Sequence, residues 1–250
     1  MKLKMMDSIL RILEWDSRYF HTRIAALQSK KLSRRLLDRV IGQCGQANIN
    51  CLYFLCSTED IQSIRSAERG GFQLLDIRIQ FCEKLSCLRF AQTLSESHGV
   101  VLRKAVSGDI PVLRRLAKRL HWRGRFLDDP GFARTPAKNF YAEWIENSVL
   151  GRFDQAVFVA TRYKQIVGYV SCAQVSRTSG RIGLVGVVPS LQGQGVGERL
   201  LSRSLEWFRE QSLRSVYIVT SGNNIPAQRF YQRCGFTIDR VDLWYHKWFS

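Results

Sequence analysis

Val187-Val188-Pro189-Ser190-Leu191-Gln192-Gly193-Gln194-Gly195-Val196-Gly197-Glu198-Arg199-Leu200-Leu201 is the stretch on which the fold of this 250-residue chain turns. An apolar, β-rich run at 182–188 stops at a proline, alternating glycines follow, and an amphipathic helix is expected at once, over 198–211. A strand-to-helix turn of this kind brings several backbone N–H groups and the positive end of a helix dipole toward one point, which suits a pyrophosphate. It is not a Walker loop, because no Lys-Ser/Thr follows, and not the G-x-G-x-x-G dinucleotide fingerprint, because Glu198 stands where the third glycine belongs. Taken alone, the segment also fits a plain tight turn.

Alternation of strands and helices continues on both sides. Downstream come a strand at 216–220, a helix at 225–233 and terminal strands at 236–241 and 243–249. Upstream, runs at 156–163 and 166–175 meet at Lys164-Gln165 as a hairpin. A helix opened by Thr135-Pro136 carries Phe140, Tyr141, Trp144 and Ile145, and Ser107-Gly108-Asp109 caps another with Pro111 in its first turn. Residues 100–106 read as a strand and 93–99 as a linker. Ahead of the linker stand an apolar segment at 9–15, a helix at 32–41, a buried strand at 51–56, a helix at 58–69 ended by Gly70-Gly71, and a strand at 74–82. This order predicts an α/β chain with a mixed α+β sheet, divided into a smaller domain over 1–96 and a larger one over 97–250.

An internal repeat accompanies the alternation. Laying Gly71-Phe72 on Gly235-Phe236 sets an offset of 164 residues, at which Tyr53 falls on Tyr217, Ser57 on Ser221, Ile61 on Ile225, Arg65 on Arg229 and Arg69 on Arg233. The strand-helix-strand unit 51–81 is then mirrored by 215–245 without a gap. Tyr231 falls on Ala67 and Asn224 on Asp60, so the first copy keeps scaffold residues and lacks the polar ones.

A second motif is Asn224-Ile225-Pro226-Ala227-Gln228-Arg229-Phe230-Tyr231-Gln232-Arg233-Cys234-Gly235-Phe236, in which Asn224 is a natural N-cap and Gly235 a terminator. In this order and spacing, the two motifs resemble the GNAT superfamily of acyl-CoA-dependent N-acyltransferases. Gln192, Gly195 and Gly197 match its Q/R-x-x-G-x-G/A loop, and Asn224, Ala227, Tyr231, Gly235 and Phe236 match its later N-x-x-A-x-x-x-Y-x-x-x-G-F pattern. The resemblance implies a C-terminal GNAT domain, preceded by a smaller, degenerate GNAT-like domain that does not bind CoA. It implies that the backbone at Val187 and Val188 pairs with pantetheine and that Gln192, Gly193, Gln194, Gly195, Val196 and Gly197 hold the pyrophosphate. Asn224 and Arg229 would contact the CoA, and Tyr231 would be the general acid for the leaving thiolate.

A narrower resemblance lies in Leu13-Glu14-Trp15-Asp16-Ser17-Arg18-Tyr19-Phe20, in Gly124-Arg125-Phe126-Leu127-Asp128-Asp129-Pro130-Gly131-Phe132 and in Tyr141-Ala142-Glu143-Trp144-Ile145-Glu146-Asn147-Ser148. These are similar to segments of bacterial enzymes that N-acetylate dTDP-linked amino-deoxysugars for cell-surface polysaccharide, such as lipopolysaccharide. Gly124 stands where that family commonly has Ser, and His21 where it has Gly or Asn. The resemblance implies acetyl-CoA or another acyl-CoA and a nucleotide sugar as substrates. Arg125 would meet phosphate, and Phe126, Tyr141 and Trp144 would offer stacking faces, with core packing the alternative for the aromatics. For the base, Asp128, Asp129 and His121 are candidates.

Composition sets the bounds. Hydrophobic residues make up 45% and charged residues 24%, which excludes disorder, collagen and coiled coil for the chain as a whole. A net charge of +17 favours polyanionic partners, and phosphates on an acyl-CoA and a nucleotide sugar would use it without nucleic acid. The seven cysteines form no C-x-x-C pair, so buried thiols, no metal and a cytoplasmic setting are expected, without signal peptide or membrane insertion. Competing readings are a GNAT enzyme acting on a protein or RNA-associated amine and a non-enzymatic polyanion-binding module. The oligomeric state stays open, a homodimer included.

Overall fold

The computed structural model describes residues 9–86, 99–121 and 124–249. Apart from Gly99, the expected linker lies outside the described residues, as does Cys87. In chain order the elements are β1 (Leu10–Ile12), α1 (Glu14–Phe20), β2 (Ile24–Leu27), α2 (Arg34–Gln46), β3 (Cys51–Ser57), α3 (Ile61–Arg69) and β4 (Gln73–Lys84). They continue with β5 (Val100–Lys104), α4 (Ile110–Leu120), α5 (Arg125–Asp128), α6 (Arg134–Val149), β6 (Ala156–Arg162), β7 (Gln165–Gln174) and β8 (Ser179–Val187). The chain closes with α7 (Val196–Glu210), β9 (Ser215–Ser221), α8 (Ile225–Arg233) and β10 (Thr237–Trp248).

The strands build a mixed ten-stranded sheet in the order β1-β2-β3-β10-β4-β9-β8-β7-β6-β5. Side chains alternate between its faces, so each strand feeds two cores. On one face lie α2, α3, α7 and α8, where Leu200, Leu201 and Phe208 of α7 pack on Phe81, Ile182 and Val216, and Leu37 and Val40 of α2 pack on Leu52 and Phe54. On the other face lie α1, α4, α5 and α6, with Phe126 and Phe140 near Cys51 and Tyr53, and Leu113 and Ile145 near Val157 and Tyr169. Each such fully buried side chain contributes roughly 1.5–3 kcal/mol.

The two segments exchange strands. β10 lies between β3 and β4, and β4 lies between β10 and β9, so neither segment closes a sheet of its own. The repeat explains why. In the antiparallel β4–β10 ladder Thr237 faces Cys82 and His246 faces Gln73, pairs that interconvert at the 164-residue offset. The register skips Asp239 on β10 and Leu75 on β4, again the same repeat position. β3 pairs β10 from Cys51–Trp248 to Ser57–Asp242, and β9 pairs β4 from Ser215–Lys84 to Ser221–Arg78, in matching fashion. The centre of the sheet is therefore a pseudo-twofold axis, and Arg78 facing Asp242 sits on it.

An identical dimer would set like charge against like at that self-facing position, which is unfavourable. The single chain instead places Arg78 Nη1 3.2 Å and Arg240 Nε 2.8 Å from Asp242 Oδ2. This arrangement also corrects the expectation of two terminal strands. Asp242, polar in sequence and 4% exposed, does not interrupt a strand, because both arginines neutralise it, and β10 runs unbroken with a bulge at Asp239.

Candidate active site

β8 and β9 run parallel and pair only from Ser179–Ser215 to Ile182–Ile218. Beyond that point β8 pairs with β7 and the rest of β9 with β4, so a wedge opens between them toward their C-terminal ends. Its β8 lip presents backbone groups that no described strand takes up. A bulge starts the opening, where Leu184 N–H donates to Ser171 Oγ at 2.9 Å instead of to a strand carbonyl. Gly183 leaves room for this, since a Cβ there would lie 2.7 Å from Ser171 Oγ and 2.9 Å from Asp154 Oδ2. Buried Asp154 is held by Ser148 Oγ at 2.6 Å and Arg181 Nη2 at 2.9 Å. Sequence reading missed Ser171, Gly183 and Asp154, and a glycine inside a strand was the available signal.

β8 ends at Val187, and Val188 leads into a 3-10 turn at Pro189–Leu191. Gln192 Nε2 donates to Val187 O at 3.0 Å and Gln194 Nε2 to Ser190 O at 2.9 Å, so both side chains brace the loop. Gly193 and Gly195 have φ of +73° and +80°, the left-handed region that favours glycine. Gly195 is the N-cap of α7 and has no side chain to satisfy the first amides, which stay available to an anion. Val196 is 1% exposed and anchors the helix in the core. At Gly197 a Cβ would lie 2.9 Å from Phe230 Cζ, so the loop seats directly on α8 and the two motifs meet.

On α8, Asn224 Oδ1 accepts from Ala227 N–H at 3.4 Å while its Nδ2 donates to Thr220 Oγ1 at 3.1 Å, and Arg229 is exposed. Tyr231 is 5% exposed, with Phe81, Phe230 and Phe236 around its ring. Burial raises its phenol well above the ordinary value. At the repeat positions stand Ala67, fully buried, and Asp60, which caps α3 by accepting from Ser63 N–H at 3.0 Å.

The opposite face carries the other sequence candidates. The Arg125 guanidinium lies 4.0 Å from the Trp244 ring, 4.5 Å from Phe126 and 4.8 Å from Tyr53, and its Nη1 is buried without a partner. Phe126, 4% exposed, packs 4.2 Å from Phe140, so it supports Arg125 from the core. Trp144 packs against Phe140 and Phe153, with its Nε1 buried and unpartnered. Tyr141 lies 4.9 Å from the His121 ring, and His121 Nε2 is 2.9 Å from Tyr169 Oη. From the N-terminal segment, Trp15 and Tyr19 of α1 stack at 5.0 Å and pack on Phe140.

Of the candidate bases, Asp128 is exposed and His121 is held at about 4 by burial. Asp129 is spent on structure: its carboxylate takes His246 Nδ1 at 2.6 Å, Gly131 N–H at 2.9 Å and Trp248 Nε1 at 3.0 Å. These bonds outweigh burial and hold the carboxyl below its usual range. They tie β10 to the loop after α5. Burial likewise holds His246 at about 4, against the pull of Asp129, so the ring is neutral at pH 7 and donates from Nδ1.

The unfolded chain would bind a proton at His246 that the folded chain refuses between its ordinary value near 6.5 and about 4. Stability is therefore full above that window and is lost as pH falls through it, by roughly 3 kcal/mol at about 1.4 kcal/mol per unit. Urea unfolding at successive pH values should show this slope, and His246→Gln should flatten it. A slope unchanged in His246→Gln would assign the acid sensitivity elsewhere.

The chain is similar to known acetyltransferases. The model of the acetyltransferase (GNAT) family matches residues 119–236. The chain is 32% identical over 155 residues to the dTDP-fucosamine acetyltransferase of Escherichia coli O6:H1 (strain CFT073), covering 62% of this chain and 65% of that protein. It is 30% identical over 143 residues to the spore coat polysaccharide biosynthesis protein SpsD of Bacillus subtilis (strain 168), covering 56% of this chain and 48% of that protein. The matches thus span less than two thirds of either relative. Among solved structures, a tandem GNAT protein from the clavulanic acid biosynthesis pathway superposes with a TM-score of 0.62 at 14% identity, covering 90% of this chain and 75% of that one, a likeness of fold alone.

Proposed function

We propose that this chain, which carries an acetyltransferase domain of the GNAT family over residues 119–236, transfers an acetyl group from acetyl-CoA to the amino group of a dTDP-linked amino-deoxysugar. The observation that carries the acyl-transfer part is the wedge between β8 and β9 joined to the glycine loop on α8. In this reading the pantetheine lies in the wedge as an extra strand against β8, and the pyrophosphate meets the first amides of α7 beside Gln192 to Gly197. Backbone N–H at Val187 polarises the thioester carbonyl, whereas Val188 N–H, against the expectation from sequence, is already donated to Val167 O at 2.8 Å. The amine nitrogen attacks that carbon, the C–S bond breaks, and Tyr231, kept protonated by burial, gives its proton to the departing thiolate.

The nucleotide-sugar part rests on the two relatives, one named for a dTDP sugar and one for polysaccharide biosynthesis, and on Arg125. A buried guanidinium nitrogen without a partner is costly, and a phosphate oxygen would satisfy it. Tyr141 and Trp144 flank the same face. Residues 1–96 would then serve the acceptor side while 97–250 hold the acetyl-CoA and supply the proton for the thiolate, and the first repeat copy, with Ala67 and Asp60, would hold no CoA. An acetyl-CoA consumer of this kind works in the cytoplasm, and no described helix is long and apolar enough to cross a membrane.

Mass spectrometry of products from acyl-CoAs and amines tests the proposal. The expected result is a mono-acetylated dTDP-amino sugar, with calorimetry finding one acetyl-CoA per chain. Acetylation of protein or RNA-associated amines, with dTDP-amino sugars untouched, would overturn the sugar assignment. Two CoA per chain would overturn the account of residues 1–96.

A further inference from the structure

We propose that Asp76, on β4 in the N-terminal segment, is the general base that takes the proton from the acceptor amine, and that Ser221 is its positioning residue. The proposal rests on the acyl-transfer reading above and goes beyond it by naming the base and the segment that supplies it. Strand exchange brings Asp76 to the site, because β4 is the sheet neighbour of β9, one lip of the wedge. Ile79 and Phe81 of β4 face the α7–α8 core, and alternation turns Asp76 to the opposite face, toward α5 and α6. Ser221 ends β9 at the open end of the wedge, and its Oγ donates to Asp76 Oδ1 at 2.5 Å. Gly222 N–H donates to Ile77 O at 2.6 Å and pins the two strand ends together.

Asp76 is half-buried, so it is open to a substrate and still partly desolvated. Ser221 from β9 is bonded to it and Trp244 from β10 lies opposite it in the ladder, while Arg125 and Asp128 from α5 and Tyr141 from α6 are near enough to interact with its charge. Burial raises its carboxyl, Ser221 and Arg125 pull it back, and Asp128 adds to the rise. A carboxylate lifted toward neutrality is a better proton acceptor than a free aspartate. On the other lip, Tyr169 flanks Gly186 of β8 and holds His121, while Tyr141 lies beside His121 and feels the charge of Asp76. An amine approaching the wedge from this face therefore meets Asp76 near Tyr141 and Arg125.

The proton balance closes. The acceptor arrives as an ammonium ion and gives one proton to the Asp76 carboxylate, which passes it to solvent. Its freed lone pair forms the N–C bond while the carbonyl π pair moves to oxygen. As the carbonyl reforms, the C–S bond breaks, the thiolate takes the Tyr231 proton, and the second proton of the nitrogen returns through water to Tyr231.

Initial rates of the full-length chain with acetyl-CoA and a set of primary amines that includes dTDP-amino sugars, measured across pH, test this. Asp76→Asn should lower kcat about ten- to hundredfold and abolish the acid limb of kcat/KM, while acetyl-CoA affinity by calorimetry stays unchanged. Asp76→Glu should restore part of kcat. Ser221→Ala should move the acid limb to higher pH, because the carboxylate loses a donor that favours its charged form. A wild-type rate or a surviving acid limb in Asp76→Asn would overturn the proposal, as would joint loss of rate and acetyl-CoA affinity without recovery in Asp76→Glu. If the wild type acetylates another amine and not the sugar, the sugar reading falls and Asp76 is judged on that amine. A wild type that acetylates no amine overturns both.

Discussion

Tyr231→Phe is expected to keep acetyl-CoA binding and to lower turnover ten- to ten-thousandfold, the range for loss of a general acid. The ring supplies most of the packing, against Phe81, Phe230 and Phe236, and Phe keeps it, so folding should be untouched. Only the hydroxyl goes, and with it the proton proposed for the thiolate. Because burial raises the phenol above its ordinary value near 10, the donor stays protonated where a free tyrosine would begin to ionise. The wild-type rate should therefore hold on the alkaline side past that point. Steady-state rates across pH with both proteins decide it, and a wild-type rate at every pH in Tyr231→Phe would sink the assignment.

Gly195→Val should weaken acetyl-CoA binding about ten- to hundredfold. At φ of +80° a β-branched residue is a strained outlier, and strain of this kind costs about 1–3 kcal/mol. Relief requires the peptide to rotate, which turns the first amides of α7 away from their common point. At about 1.4 kcal/mol per tenfold in affinity, that loss has the expected size. Gly193→Ala provides the comparison, since its φ of +73° is also left-handed but a Cβ there meets nothing within 4 Å and it does not open the helix. Calorimetry should rank wild type above Gly193→Ala and both above Gly195→Val. Undiminished affinity in Gly195→Val would make the loop a plain turn.

Much of this site is local and was legible in the residues. A proline after an apolar run, glycines at 193 and 195 and an apolar stripe from Val196 onward specify strand, turn and helix within one short stretch, because backbone conformation there depends on neighbours in sequence. Asn224 and Gly235 bound α8 for the same reason. The repeat was legible too, through Gly71-Phe72 and Gly235-Phe236, and with it the equal topology of β3-α3-β4 and β9-α8-β10.

What the residues could not reveal were pairings across the chain. Which strand lies beside β9 depends on the competition of every edge for a partner, and here β4 and β10 change places about the Arg78–Asp242 pair. That exchange merged two expected terminal strands into one and carried Asp76 to Ser221, 145 positions away in sequence. It also decided the fates of the acidic candidates. Asp129 beside Asp128 looked equivalent in sequence, yet one is locked to His246 and Trp248 and the other is exposed. Local sequence sets what a segment can become, since its torsions and caps are near-neighbour effects. Burial and proton affinity are set by what distant segments bring against it, and only the folded chain assembles those.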